Sequence, residues 1–229
     1  MKVLAVGAHP DDIEIFMYGL LAECKKLGYE LSLIISTDGS LGGAEKPEIL
    51  KEKRKQETID GLSELGTPIF LDLPDGHLGT DPKHLIYLSD SIKKIKPNII
   101  ITHANNDYHT DHRIVSNYVT MAAGHYIPVL YCDTLMGINF NPNYYINITD
   151  VFSLKEKAIL SHKTQKPDRF VKLARLMNSY RSAQCNSPLG TYAEAYKFKN
   201  SFPFSDIKDI LPSSPALLPF EINNKNGFL

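Results

Sequence analysis

The sequence predicts an α/β fold: a single domain on a Rossmann-like, doubly wound and mostly parallel sheet with helices on both faces. Three observations carry the prediction. Short apolar runs alternate with longer stretches of helical period through the first 124 residues, and glycine or proline closes several of the helical stretches. The 229 residues, 43% hydrophobic, suffice for one substantial core, with no composition break to divide it.

Residues 3–8 form an unbroken apolar run, the pattern of a strand covered on both faces. Residues 13–27 follow with helical period and close at Gly28. Strand 31–36 then leads to helix 48–65, closed at Gly66; strand 69–73 leads to helix 83–95, with Pro97 beyond it; strand 99–102 leads to helix 111–124. Each unit is strand, crossover helix, strand, so parallel neighbours with right-handed connections are expected. After Pro128 the pattern loosens. Residues 129–132 and 144–148 read as strands, 153–162 and 168–183 as helices and 191–197 as a last strand, whose order in the sheet is not legible. The domain is placed at 1–200. Residues 201–229 set Pro203, Pro212, Pro215 and Pro219 among apolar residues, too hydrophobic for a disordered tail. This segment is expected to pack on the domain or on a neighbouring subunit, which makes homo-oligomerisation one expectation about partners.

Composition excludes several classes. A formal net charge of −1, with cations interleaved with acids as in Lys51-Glu52-Lys53-Arg54-Lys55, offers no basic stripe for nucleic acid. Cys24, Cys132 and Cys185 are odd in number and far apart, which suggests packing residues of a cytoplasmic protein rather than disulfides or thiolate ligands. No apolar run approaches the roughly 20 residues of a membrane span, and 3–8 is too short for a signal-peptide core, so the mature chain is expected to begin at Met1.

Two clusters carry the chemistry. His9-Pro10-Asp11-Asp12 lies between the first strand and helix, and His109-Thr110-Asp111-His112 repeats that placement after the fourth strand. Helix capping is the plain alternative: Asp11 as N-cap with Glu14 completing a capping box, and Asp111 as cap of the later helix. Capping leaves His9 and Asp12 without a task. Both junctions lie at strand ends of one sheet, where open α/β sheets bind ligands, so the clusters are expected to converge. His9 and Asp12 can then face one point, with His112 as a third ligand and Asp11 projecting aside. Two nitrogens and an oxygen with a vacant position describe a hydrolytic zinc site, one Zn2+ per chain, with Fe2+ the substitute. Asp11 is the candidate general base. His109, with Asp111 as its partner, is the candidate imidazolium that stabilises the oxyanion and protonates the leaving amine. Arg54 and Asp75 are candidates to bind a polar substrate, although Arg54 also reads as part of a solvated helix face. His77 is expected to line the crevice and His103 to support a ligand, whereas His84, His125 and His162 read as structural or surface residues.

These residues belong to an ordered set: Gly7-Ala8-His9-Pro10-Asp11-Asp12, Ser36-Thr37-Asp38-Gly39, Arg54 with Glu57 before Leu65-Gly66, Leu73-Pro74-Asp75-Gly76-His77-Leu78, Asp107-Tyr108-His109-Thr110-Asp111-His112, Ser161-His162-Lys163-Thr164-Gln165 and Thr191-Tyr192-Ala193-Glu194-Ala195-Tyr196. With this set the chain resembles the zinc-dependent de-N-acetylases of the LmbE-like or PIG-L family, which act on N-acetylglucosaminyl conjugates. The resemblance implies His9, Asp12 and His112 as ligands, Asp11 as base, His109 as the charge-stabilising acid and Arg54 at the substrate. Asp11-Asp12-Ile13-Glu14-Ile15 matches members that include N-acetylglucosaminyl-malate deacetylases. Phe16 stands where the family often has glycine, Thr110 where it often has proline, and Pro74-Asp75-Gly76-His77 differs from the Pro-Asp-Arg form of the malate-conjugate enzymes. These departures leave the aglycone open. The expected activity is hydrolysis of a linear amide C–N bond, releasing the acetyl group from an N-acetylglucosamine-type conjugate. A nucleotide-binding module is disfavoured, because G-x-G-x-x-G is absent and two carboxylates sit where a pyrophosphate would bind. A mononuclear iron oxygenase shares the ligand types, and a phosphoesterase would usually need a second metal.

Overall fold

Seven strands, β1 (Lys2–Gly7), β2 (Glu30–Thr37), β3 (Ile69–Leu73), β4 (Ile99–Thr102), β5 (Val129–Cys132), β6 (Tyr144–Asn147) and β7 (Ala193–Phe198), form one sheet in a computed structural model that describes residues 1–219. Their order is β3-β2-β1-β4-β5-β7-β6. The first five run parallel, and β7 enters antiparallel to both β5 and β6, so the sheet is mostly parallel as expected. The helices are α1 (Asp12–Phe16), α2 (Tyr18–Lys26), α3 (Pro47–Gly61), α4 (Lys83–Ile95), α5 (Thr110–Ala123), α6 (Phe152–Leu160) and α7 (Asp168–Gln184).

Alternation within the central strands explains their unbroken apolar runs. Val3 and Ala5 of β1, with Ile99 and Ile101 of β4, enter a core shared with Leu20, Leu21, Ile159 and Met177. Leu4, Val6 and Ile100 enter a second core with Leu88 and Ile92 of α4 and Val115 and Val119 of α5. Successive side chains point to opposite faces, and helices cover both, so both faces are apolar along most of each central strand. Helix α3 buries the narrow stripe Leu50, Arg54, Thr58 and Gly61, which carries Arg54 inward.

One expected element is divided. The stretch 13–27 forms two helices that break at Met17 (φ −130°, ψ −9°). The cause is distant in sequence: the Glu194 carboxylate of β7 accepts the Gly19 and Leu20 amides at 2.8 Å each and supplies the partners that α2's first turn lacks. A Cβ on Gly19 would lie 2.5 Å from Ile148, so only glycine permits this approach.

The sheet also fixes where ligands bind. From β1 the chain moves toward β2 and β3, and from β4 toward β5, so the β1/β4 boundary is the topological switch point and a crevice opens at its carboxyl end. At the far edge the C-terminal segment lies on the body. Ser213 O accepts the Asn147 amide of β6 at 2.9 Å, and Ser187 Oγ donates to Ala216 O at 2.7 Å. The part of that expectation covering residues 220–229 lies outside the described residues. Cys24 and Cys132 are buried, whereas Cys185 is only partly so. Among the described residues no helix is long and apolar enough to cross a membrane.

Candidate metal centre and active site

The turn after β1 is held from several sides. Thr37 donates its amide and its hydroxyl to Ala8 O, both at 2.8 Å, and the His9 amide donates to Asp12 Oδ2 at 2.6 Å. Asp11 sits at φ 137°, a conformation that costs a non-glycine residue about 1–3 kcal/mol. Arg54 secures it: Nη2 lies 3.2 Å from Asp11 Oδ2 and donates to Pro10 O at 2.7 Å, while Nη1 donates to Gly39 O at 2.9 Å. Arg54 is 3% exposed, which removes the solvated-face reading. The capping readings also fail. Asp11 makes no side-chain cap bond, and Glu14 is buried against His162 Nε2 at 2.8 Å. The cap of α5 is His109, whose Nδ1 accepts the Asp111 amide at 3.3 Å.

Three side chains from the two junctions meet. His9 Nδ1 is 3.4 Å from Asp12 Oδ2 and 3.3 Å from His112 Nε2, and His112 Nε2 is 3.2 Å from Asp12 Oδ1. Tetrahedral zinc with bonds near 2.1 Å has ligand-to-ligand edges of about 3.4 Å, so the spacing fits one small divalent ion. The other ring nitrogens strengthen the fit. His9 Nε2 lies 3.3 Å from both Asp75 Oδ1 and Asp111 Oδ2, and His112 Nδ1 lies 3.1 Å from Asp107 Oδ2. An imidazole with a carboxylate on its far nitrogen is the usual support of a histidine ligand. His103 stacks on His112 with ring centroids 3.8 Å apart and brings Nε2 to 3.1 Å from Asp12 Oδ2.

The electrostatics favour a cation at this point. Burial opposes charge on His9, yet hydrogen bonds to Asp111, Asp12 and Asp75 hold its pKa well above the ordinary value. Burial likewise opposes charge on His112, but the Asp12 charge and the Asp107 hydrogen bond bring it up to about 9. Asp12 is buried, and the charges of His112 and His103 nonetheless keep its carboxyl well below the usual range. Burial raises Asp11, with Arg54 the chief counterweight. His109 moves the other way: burial and the charges of His9 and His112 push it down.

The site opens into a cavity of about 380 Å³. His9, Asp11, Asp12, His109 and His112 form its floor, Phe16, Leu41, Leu135 and Phe170 its apolar walls, and Arg54, Asp75 and Gln165 its polar lining. Two candidates sit elsewhere than expected. His77 is exposed and absent from this lining, and Asp111 is buried behind His9, its carboxylate also accepting the Gly76 amide at 2.8 Å rather than pairing with the His109 ring. Asp75 faces His9 and accepts the Leu41 amide at 3.0 Å. Asp107 escaped sequence reasoning, although a carboxylate five residues before a candidate histidine ligand is itself a signal. His162, set aside as structural or surface, is buried beneath Asp11 as the partner of Glu14.

Residues 4–123 match the family described as PIG-L, GlcNAc-PI de-N-acetylase. Diacetylchitobiose deacetylase from Thermococcus kodakarensis is 24% identical, with 73% of this chain and 71% of that protein covered. The solved diacetylchitobiose deacetylase from Pyrococcus horikoshii superposes with a TM-score of 0.74 at 22% identity, covering 86% of this chain and 83% of that one. GalB, a 4-carboxy-2-hydroxymuconate hydratase from Pseudomonas putida, superposes with a TM-score of 0.78 at 20% identity, covering 90% and 99%. A deacetylase and a hydratase thus share the fold, so reaction type must be argued from the site.

Proposed function

The chain belongs to the PIG-L family, and on that premise we propose that it is a zinc-dependent amidohydrolase that removes the acetyl group from an N-acetylglucosamine-type conjugate. The observation that carries this reading is the convergence of His9, Asp12 and His112, with carboxylates on both far imidazole nitrogens and Asp11 left beside them, held by Arg54. A divalent ion held by those three side chains would polarise the acetamido carbonyl and lower the pKa of a water to about 7.

The remaining work falls to the protein. Asp11 accepts the proton of the attacking water. Its burial raises its basicity above that of an exposed carboxylate, and Arg54 fixes the carboxylate's direction, acting as a positioning residue. His109 starts neutral. Because Nδ1 accepts the Asp111 amide, the ring proton lies on Nε2, from which it donates a hydrogen bond to the oxygen that gains charge at the tetrahedral stage. Asp11 then returns its proton to the departing amine. Asp111 and Asp75 hold His9, and Asp107 holds His112.

The test is acetate release across N-acetylglucosamine, its methyl glycoside, diacetylchitobiose, and malate-, inositol- and nucleotide-linked forms. Stoichiometric acetate and free amine from at least one, abolished by chelation and restored by zinc, are expected. Asp11→Asn is expected to retain the ion and lose about 10²–10⁴-fold in kcat. Full activity in metal-loaded Asp11→Asn would remove Asp11 as the base, and absence of acetate from every conjugate would remove the reading.

A further inference from the structure

The five arginines of the chain differ in how their side chains are satisfied. Arg54, Arg175 and Arg181 are ion-paired, and Arg113 donates to the Asp107 and Tyr108 carbonyls. Among the described residues, Arg169 has neither a carboxylate within ion-pairing distance nor a carbonyl acceptor for its guanidinium, yet it lines the cavity that holds the candidate centre. Its guanidinium lies over the Phe170 ring, 4.4 Å from the centroid, a contact that braces the planar group while leaving its edge of N–H donors open.

The turn that leads into it is fixed. Thr164 donates its amide and its hydroxyl to Glu57 of α3, at 2.8 and 2.7 Å, and Gln165 Nε2 donates to Gly42 O at 3.1 Å. Lys163 and Lys166 stand exposed on the same turn and add to its positive potential. The cavity is therefore graded: carboxylates and their partners lie buried at the floor, and an uncompensated, exposed cation stands at the mouth. A negative group on the substrate finds Asp11, Asp12 and Asp75 at the floor and Arg169 at the mouth, so it belongs on the part of the substrate that stays outside while the acetamide enters.

We propose that Arg169, braced on Phe170, is a specificity-determining residue that binds a carboxylate or phosphate on the aglycone of the amino-sugar substrate. The proposal rests on the amidohydrolase reading and adds the substrate class to it. Guanidinium forks match both oxyanions bidentately, and charge-assisted bonds of this kind give roughly tenfold or greater discrimination.

The experiment compares acetate release from three N-acetylglucosamine glycosides: a neutral methyl glycoside, a carboxylate-bearing hydroxy-acid glycoside and a phosphodiester. Zinc-loaded wild type, Arg169→Gln, Arg169→Lys and a Lys166→Gln control are assayed at low and high salt. Wild type is expected to prefer at least one anionic glycoside over the methyl glycoside by about tenfold or more in kcat/KM, and the better anion identifies the source. Arg169→Gln is expected to lose that preference through KM, its kcat/KM for the anionic glycosides falling to that for the methyl glycoside. Arg169→Lys should recover part of it, and Lys166→Gln should keep most of it. Equal rates for neutral and anionic glycosides in wild type, or an intact preference in Arg169→Gln, would overturn the proposal. If no glycoside releases acetate, the amidohydrolase reading fails by itself. Calorimetric binding of the same three glycosides to wild type and Arg169→Gln then decides the Arg169 assignment by the same ratio.

Discussion

Arg54→Ala probes the link between the strained turn and the base. The guanidinium lies 3.2 Å from Asp11 Oδ2, which at an effective dielectric near 20 corresponds to an attraction of about 5 kcal/mol. Removing one partner of such a buried pair typically costs about 3–5 kcal/mol, because the other charge is left without compensation. Pro10 O and Gly39 O lose their donors as well. We expect Arg54→Ala to lower unfolding stability by about 3–5 kcal/mol at neutral pH, measured by urea denaturation in chelator so that metal linkage does not contribute. The pH dependence has a definite sign. Asp11 is already raised above the ordinary carboxylate value, so its ionisation costs stability as pH rises through the folded pKa, and removing Arg54 raises that pKa further. The deficit should therefore shrink as pH falls from neutral through the raised Asp11 pKa toward the ordinary carboxylate range. Asp11→Asn in the same background should recover at least about 2 kcal/mol, read as a double-mutant coupling. A coupling below about 0.5 kcal/mol, or a deficit that is flat with pH, would refute the reasoning.

Three further substitutions test separate parts of the structure. Asp107→Asn removes the charge behind His112 Nδ1 and should weaken zinc binding by about 10–100-fold, measured by competition with a chelating dye, with little change in the urea midpoint. Gly42→Ala places a Cβ 2.2 Å from Arg54 Nη1; displacement of the guanidinium should cost about 1–3 kcal/mol of stability and most of the acetate-release rate. Lys155→Met leaves Glu194 without its cation at 2.7 Å in a fully buried setting and should destabilise by about 3 kcal/mol, of which Glu194→Gln in the same chain restores a large part.

What the sequence reveals depends on how local each cause is. The strands β1 and β4 are legible because burial on both faces turns them into unbroken apolar runs, and the convergence of His9 with His112 follows once both are assigned to strand ends of one sheet. The break at Met17 is not legible, because Glu194 produces it from 175 residues away. Arg54 is disguised by its charged neighbours Lys51–Lys55, and only the buried stripe of α3 shows that it faces inward. The supports of His9 come from the loop after β3 and the first turn of α5, so no spacing announces Asp75 and Asp111 as partners of one ring. The position of β7 is set by its antiparallel pairing with both β5 and β6, which hydrophobic pattern alone does not encode.

Zinc titration of the dialysed protein, with ion content measured by elemental analysis, tests the central claim most directly. One ion per chain is expected in wild type and in His77→Ala, and close to none in His9→Ala, Asp12→Ala or His112→Ala that retain the native far-ultraviolet spectrum. Stoichiometric zinc bound with undiminished affinity by folded His112→Ala would contradict the account.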